Sequence, residues 1–128
     1  MRAGWHETFD ASGGYEALTY RFGDNAPDWF MARCADGRMT FDLRRDDFPP
    51  DGATPYLDID GARWDVSDAV ERPSGGIVLW SDEFASRFRA AKERIAFIAG
   101  TRRIAFSPHP HLLALIDHCR ELAAKKSR

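Results

Sequence analysis

Four histidines and two cysteines are the side chains of this 128-residue chain best suited to chemistry, and neither set has the spacing that chemistry asks for. His109 and His111 flank a proline in F-S-P-H-P-H-L-L, and His118 follows seven residues after His111. A histidine pair at i, i+2 across a proline lacks the ligand spacing of zinc motifs, and no carboxylate or cysteine is placed to complete a tetrahedron. They read as surface histidines beside a helix start, so no metal and no cofactor is expected. A catalytic thiol needs exposure and a lowered pKa, yet Cys34 and Cys119 both fall on core-facing positions. Paired carboxylates are the remaining option for acid–base work. Asp46, Asp47 and Asp51 lie in the proline-rich run R-R-D-D-F-P-P-D-G, and Asp58 and Asp60 at a hairpin turn, where aspartate serves turn geometry. The chain has no G-x-S-x-G, no P-loop and no G-x-G-x-x-G, and the pairs Gly13-Gly14 and Gly75-Gly76 suit loops better than phosphate cradles. No catalytic residue is assigned, and a binding domain is expected in place of an enzyme.

Charge gives the binding candidates. The net charge of −2 implies no nucleic-acid or membrane partner from global electrostatics, but its distribution is uneven. Residues 42–71 hold nine acids against three bases, or −6, and residues 85–128 hold ten bases against three acids, or +7. The simplest expectation is that the two segments face each other and partly neutralise. Arg87, Arg89, Lys92, Arg94, Arg102 and Arg103 are the candidate basic face, and Asp46, Asp47 and Asp51 the candidate acidic loop. Phe97 and Phe106 lie near the basic run but on core positions, which makes them poor stacking platforms for bases. The expected partner is another protein. A nucleic acid reached through the basic face is the second option.

The elements that position these residues follow from hydrophobic period and turn chemistry. In W-F-M-A-R-C-A-D-G-R-M-T-F-D-L, Asp36-Gly37 supplies the two positive-φ positions of a type I′ turn. The register then sets Cys34 opposite Met39, Ala32 opposite Phe41 and Phe30 opposite Leu43 on one buried face. The other face carries Arg33, Thr40 and Asp42 and is expected to be wet, with Trp29 and Met31 placed to cover a second element. Asp60-Gly61 turns a second hairpin, with Leu57 opposite Trp64 and an Asp58–Arg63 charge pair outside. Gly100-Thr101 turns a third, as the Gly-X form of a type II′ turn, pairing Ile95 with Phe106 and Phe97 with Ile104. Residues 1–14 give a short strand and loop, Tyr15–Phe22 a half-buried strand, 23–27 a turn, and 44–54 and 67–76 surface loops. Ile77–Trp80 is a short strand. Ser81 caps a helix running to about Lys92, whose buried side is Phe84 and Phe88. Leu112, Leu115, Ile116, Cys119 and Ala123 make the apolar stripe of a last helix, with a fraying tail after Leu122. The fold class is α+β in one domain over residues 1–128: an antiparallel sheet of six or seven strands built from hairpins and packed by two helices.

Two inward cysteines make a Cys34–Cys119 bridge geometrically possible, and the count is equally compatible with two buried thiols. No window has the eighteen apolar residues of a spanning helix, and M-R-A-G-W-H-E-T lacks the apolar core of a signal peptide. The chain is therefore expected to be cytoplasmic if Met1 is the native start, and periplasmic if the sequence is a mature form.

The C-terminal order of strand, helix opening in S-D-E-F, hairpin, then F-S-P-H-P-H-L-L-A-L-I-D-H-C-R, together with M-A-R-C-A-D-G-R-M-T-F upstream, resembles a diffuse group of uncharacterised small envelope proteins of alphaproteobacteria. The likeness covers about residues 15–122 and rests on Cys34, Cys119-Arg120 and the order of elements. It implies an exported or lipid-anchored α+β domain with a disulfide and no assigned activity. A cytosolic or phage-encoded inhibitor that docks a charged face onto a nucleic-acid machine is the alternative expectation.

Overall fold

The structure, a computed structural model, describes residues 4–23, 28–66, 69–72 and 75–126. All but Gly23 of the turn expected at 23–27, parts of the 67–76 loop and the end of the tail lie outside these residues. Ten strands and two helices are present among them, all strand pairs antiparallel. The class is α+β as expected, but the strands form two sheets instead of one. The larger has six strands in the order β1-β2-β3-β4-β8-β7, namely Gly4–Phe9, Tyr15–Arg21, Trp29–Ala35, Arg38–Arg44, Ile77–Leu79 and Val70–Glu71. The smaller has four in the order β10-β9-β5-β6, namely Arg102–Phe106, Ile95–Ala99, Tyr56–Ile59 and Ala62–Asp65. Hairpin signals are local, whereas the pairing of β5 with β9 joins residues far apart in sequence and has no local signature.

The turns form for the reasons their residues suggest. Asp36 and Gly37 take φ of 55° and 76°, and Asp60 and Gly61 take 53° and 90°, so both hairpins close as I′-type turns with the expected registers. Gly37 has a second duty, because a Cβ there would lie 2.9 Å from the backbone of Ala123 in the last helix. Gly76, at φ 100°, passes so close to β4 that a Cβ would stand 2.0 Å from the Leu43 carbonyl oxygen, and its N–H donates to Phe48 O at 2.6 Å. Those contacts draw Phe48 into the core, where it is only 1% exposed although it lies in a charged, proline-rich loop. The 67–76 stretch also contributes β7, too short at two residues to show a period.

α1 (Asp82–Arg89) is capped by Ser81, whose hydroxyl accepts the Glu83 N–H at 3.1 Å. Its Phe84, Ala85 and Phe88 are buried. α2 (Leu112–Lys126) buries Leu112, Leu115, Ile116 and Cys119, and it continues to Lys126 where fraying after Leu122 was expected. A disulfide joins Cys34 and Cys119 across 85 residues, with the Cα atoms 5.6 Å apart. Asp60 does more than turn a hairpin: its carboxylate accepts the backbone N–H groups of Lys92, Glu93 and Arg94 at 2.7–2.9 Å, fixing the link from α1 to β9. Burial of this group is opposed by those three donors, and they hold its pKa below the usual carboxylate range. The expected Asp58–Arg63 pair is not the contact made. Asp58 accepts from Gly61 N, while Arg63 lies over the Tyr56 ring at 3.8 Å and pairs with Asp65.

Replacing both cysteines by alanine, or reducing the bridge, is expected to lower unfolding free energy by about 4–5 kcal/mol, the loop-closure value for a separation of 85 residues, read from urea midpoints. Asp60→Ala should cost at least about 1 kcal/mol more than Asp60→Asn, because asparagine keeps an acceptor and tolerates positive φ whereas alanine does neither.

Candidate functional site

Two assemblies of polar side chains have a geometry worth building from the residues upward. The first is a histidine seam between the β1–β2 hairpin and the first half of α2 with the turn ahead of it. Strand alternation sets Glu7 on the inner face of the larger sheet, in register with Leu18. His109, 8% exposed, lies against it with Nε2 2.9 Å from Glu7 Oε1. Next along the seam, Tyr15 Oη and His111 Nδ1 are hydrogen-bonded at 2.6 Å, and then His118 Nε2 and Asp10 Oδ2 at 2.7 Å. Trp5 packs edge-on against His109 at 5.5 Å, and its indole N–H donates to Ser107 O at 2.9 Å. Surface histidines beside a helix start were expected here; His111 is exposed, whereas His109 is buried, and each ring is tied to the first hairpin. The signal was unreadable from spacing because the partners are about a hundred residues away.

Glu7, His109 and His111 bring one ligand atom each within 4.8 Å of one another, which is the composition of a two-histidine, one-carboxylate metal site. The hydrogen bonds argue for a different role. Nδ1 of His109 accepts the backbone N–H of His111 at 2.9 Å, so a neutral ring carries its proton on Nε2 and donates it to Glu7. A metal on Nε2 would need the proton on Nδ1, facing another donor. The cluster is a clasp: His109 satisfies a backbone N–H just ahead of α2 and binds β1 with its other nitrogen.

The second assembly is the outer face of the larger sheet. α2 reaches this sheet through Cys34, α1 through Phe30 and Phe41, and the smaller sheet through Phe30, all on the inner face. Registers place Arg21, Trp29 and Arg44 in one outward row, and Thr19, Met31, Asp42, Val78 and Val70 in the next. Arg33 and Arg38 continue the face toward the Asp36-Gly37 turn. Arg72 follows β7, lies over the Trp29 ring at 5.5 Å and donates to Asp42 at 2.5 Å. Trp29 is thus covered by an arginine, not by the second element expected. Arg38 lies over Trp80 at 5.4 Å. Burial pushes the Asp42 carboxyl up, against the pull of Arg72. The Nε atoms of Arg21, Arg44 and Arg72 and Oδ1 of Asp42 are shielded from solvent with no hydrogen-bond partner among the described residues. Among the described residues, Asp42 is the one acid at an outward strand position here, against Arg21, Arg33, Arg38, Arg44 and Arg72. Sequence reasoning missed this face because its arginines are scattered over three strands and a loop, and only register collects them.

The residues singled out in sequence are less concentrated. Arg87 lies over Trp64 and pairs with Glu83, Arg89 makes two bonds to Asp117 at 2.7 and 3.0 Å, and Arg102 pairs with Asp47. The Arg89–Asp117 bond holds the aspartate's pKa low and raises the arginine's. Arg94 and Arg103 line a cleft with Asp58, Asp60 and Glu93, and Lys92 lines another with Arg89 and His109. The Arg102–Asp47 pair joins the candidate basic face to the candidate acidic loop, and Asp46 and Asp51 are exposed beside it. Compared with known proteins, the chain matches no family model, and no curated protein or solved structure is significantly similar to it.

The seam predicts acid sensitivity. Asp10 is held at about 2 by hydrogen bonds from Ser12 and His118, below its ordinary 3.8. A folded-state pKa below the unfolded one means that its stabilisation is complete above about 3.8 and is lost as pH falls toward 2. Asp10→Asn should therefore flatten the fall in urea midpoint across that window while changing little of the pH dependence above pH ~5.

Proposed function

We propose that this chain is a small binding domain of the bacterial cell envelope, without catalytic activity, that holds an anionic partner on the outer face of its larger sheet. The observation that carries the reading is that face: among the described residues, five arginines against one aspartate at an outward strand position, two of the arginines laid over tryptophans, with both helices and the smaller sheet on the opposite side. Arginines layered on rings keep their N–H donors directed outward in a fixed plane, which suits carboxylate or phosphate recognition better than mobile lysines would. The compartment is supported by the Cys34–Cys119 bridge, since glutathione and thioredoxin keep cytosolic thiols reduced. The resemblance to small alphaproteobacterial envelope proteins points the same way.

The alternative of a charged face docking onto a nucleic-acid machine draws less support. The basic run 87–103 is partly neutralised by Glu83, Asp117 and Asp47. Among the described residues, no helix is long and apolar enough to cross a membrane.

Intact mass of protein isolated from its native host, with free thiols blocked before unfolding and again before reduction, tests the compartment. Both cysteines are expected to escape blocking until a reductant is added. Two cysteines that are alkylated on unfolding alone would return the chain to the cytosol and overturn the envelope reading.

A further inference from the structure

We infer that the partner on this face is an anionic phospholipid surface, so that the domain docks peripherally on a membrane with the larger sheet laid against the headgroups. The inference rests on the envelope reading above and names the partner of the same face. Three observations favour a bilayer over an acidic protein or a nucleic acid. The face is broad: its outward rows cross from β2 to β7, and the clefts near His109, beside Trp64 and beside the disulfide are lined by other residues. One edge carries apolar anchors. Val70 is 53% exposed and Trp80 41%, two of the four large apolar side chains exposed among the described residues, and both belong to this face. Tryptophan is the side chain favoured at headgroup depth, and a tryptophan under an arginine presents an apolar ring and a cation to that interface together.

The third observation is what the face does not offer. Trp29 is half-buried beneath Arg72, so its ring is covered and no base can stack on it. Asp42, the one acid among the described outward strand positions, is engaged by Arg72, and its side chain is 17% exposed, so it opposes an anionic surface weakly. Arg33 and Arg38 are exposed on the side nearer Trp80, while Arg21, Arg44 and Arg72 are half-buried toward the other. A flat lipid surface can meet both groups at once. Each basic side chain near such a surface raises partitioning about fivefold at low salt, and the gain is screened as salt is added.

The test is co-sedimentation of the oxidised full chain with vesicles of phosphatidylcholine alone and of phosphatidylcholine mixed with phosphatidylglycerol in equal parts. The protein is expected to sediment with the mixed vesicles and not with the neutral ones, and to be released by salt. Arg33→Ala with Arg38→Ala should lower partitioning about 25-fold. Trp80→Ser should lower it too, with Trp80→Phe restoring part. All three positions are exposed, so an unchanged urea midpoint will show that the variants fold. Soluble polyglutamate and an oligodeoxythymidine run beside the vesicles separate the two readings. Binding to polyglutamate that weakens in the arginine variants, with no vesicle binding, would overturn the lipid surface and keep an acidic protein as partner. Binding to the oligonucleotide alone would overturn it in favour of nucleic acid. Equal sedimentation with neutral vesicles would overturn the role of the arginines, and no binding to any probe would overturn both this inference and the proposed function.

Discussion

Phe30 is where the layers of this molecule meet. The two sheets share no hydrogen-bonded strands among the described residues, so side-chain contacts must join them. The Phe30 ring, fully buried at the centre of the larger sheet, lies 4.9 Å from Phe106 and 5.7 Å from Phe97 of the smaller sheet, 5.6 Å from Phe88 of α1 and 6.3 Å from Trp5 of β1. Each such ring pair adds about 0.5–1.5 kcal/mol beyond the burial of its area. Truncating Phe30 would remove the contact between layers as well as opening a cavity. Along β3, the Phe30 end meets the smaller sheet and the Cys34 end meets α2. One strand therefore carries both attachments.

The bridge and the histidine seam secure α2 from two directions. Cys119 ties the middle of the helix to β3, while Glu7–His109 and Tyr15–His111 tie the residues just ahead of it, and Asp10–His118 its middle, to the β1–β2 hairpin. That hairpin lies at the edge of the larger sheet, paired in it with β3 alone. The buried partner is His109: a polar ring is costly to bury without a partner, and the exposed Glu7 carboxylate accepts its Nε2–H. The same need for satisfaction explains why His109 is built into the fold and is unsuited to a metal. Holding β1 and β2 flat against β3 also keeps Arg21 in line with Trp29 and Arg44, so the clasp on the inner face shapes the outer one.

Local turn chemistry was legible. Asp-Gly at 36–37 and at 60–61 fixed two hairpin registers residue by residue, and Gly100-Thr101 a third, because positive φ at glycine and aspartate is a backbone property that needs no partner. The Ser81 cap and the inward direction of Cys34 and Cys119 followed from short-range spacing in the same way. Phe48 was not legible, because its burial comes from Gly76 reaching back to its carbonyl. Nor were the partners of His109, His111 and His118, contributed by residues 7, 15 and 10.

The sequence by itself determined the α+β class, the hairpins with their inner and outer faces, and the two cysteines as inward residues, since period and turn type act within a few residues. The tertiary structure decided that the hairpins divide into two sheets, that the cysteines bond, and that arginines from three strands and a loop share one surface. Those outcomes depend on which strand lies beside which, and strand neighbours are chosen by burial of the whole core instead of by any local pattern.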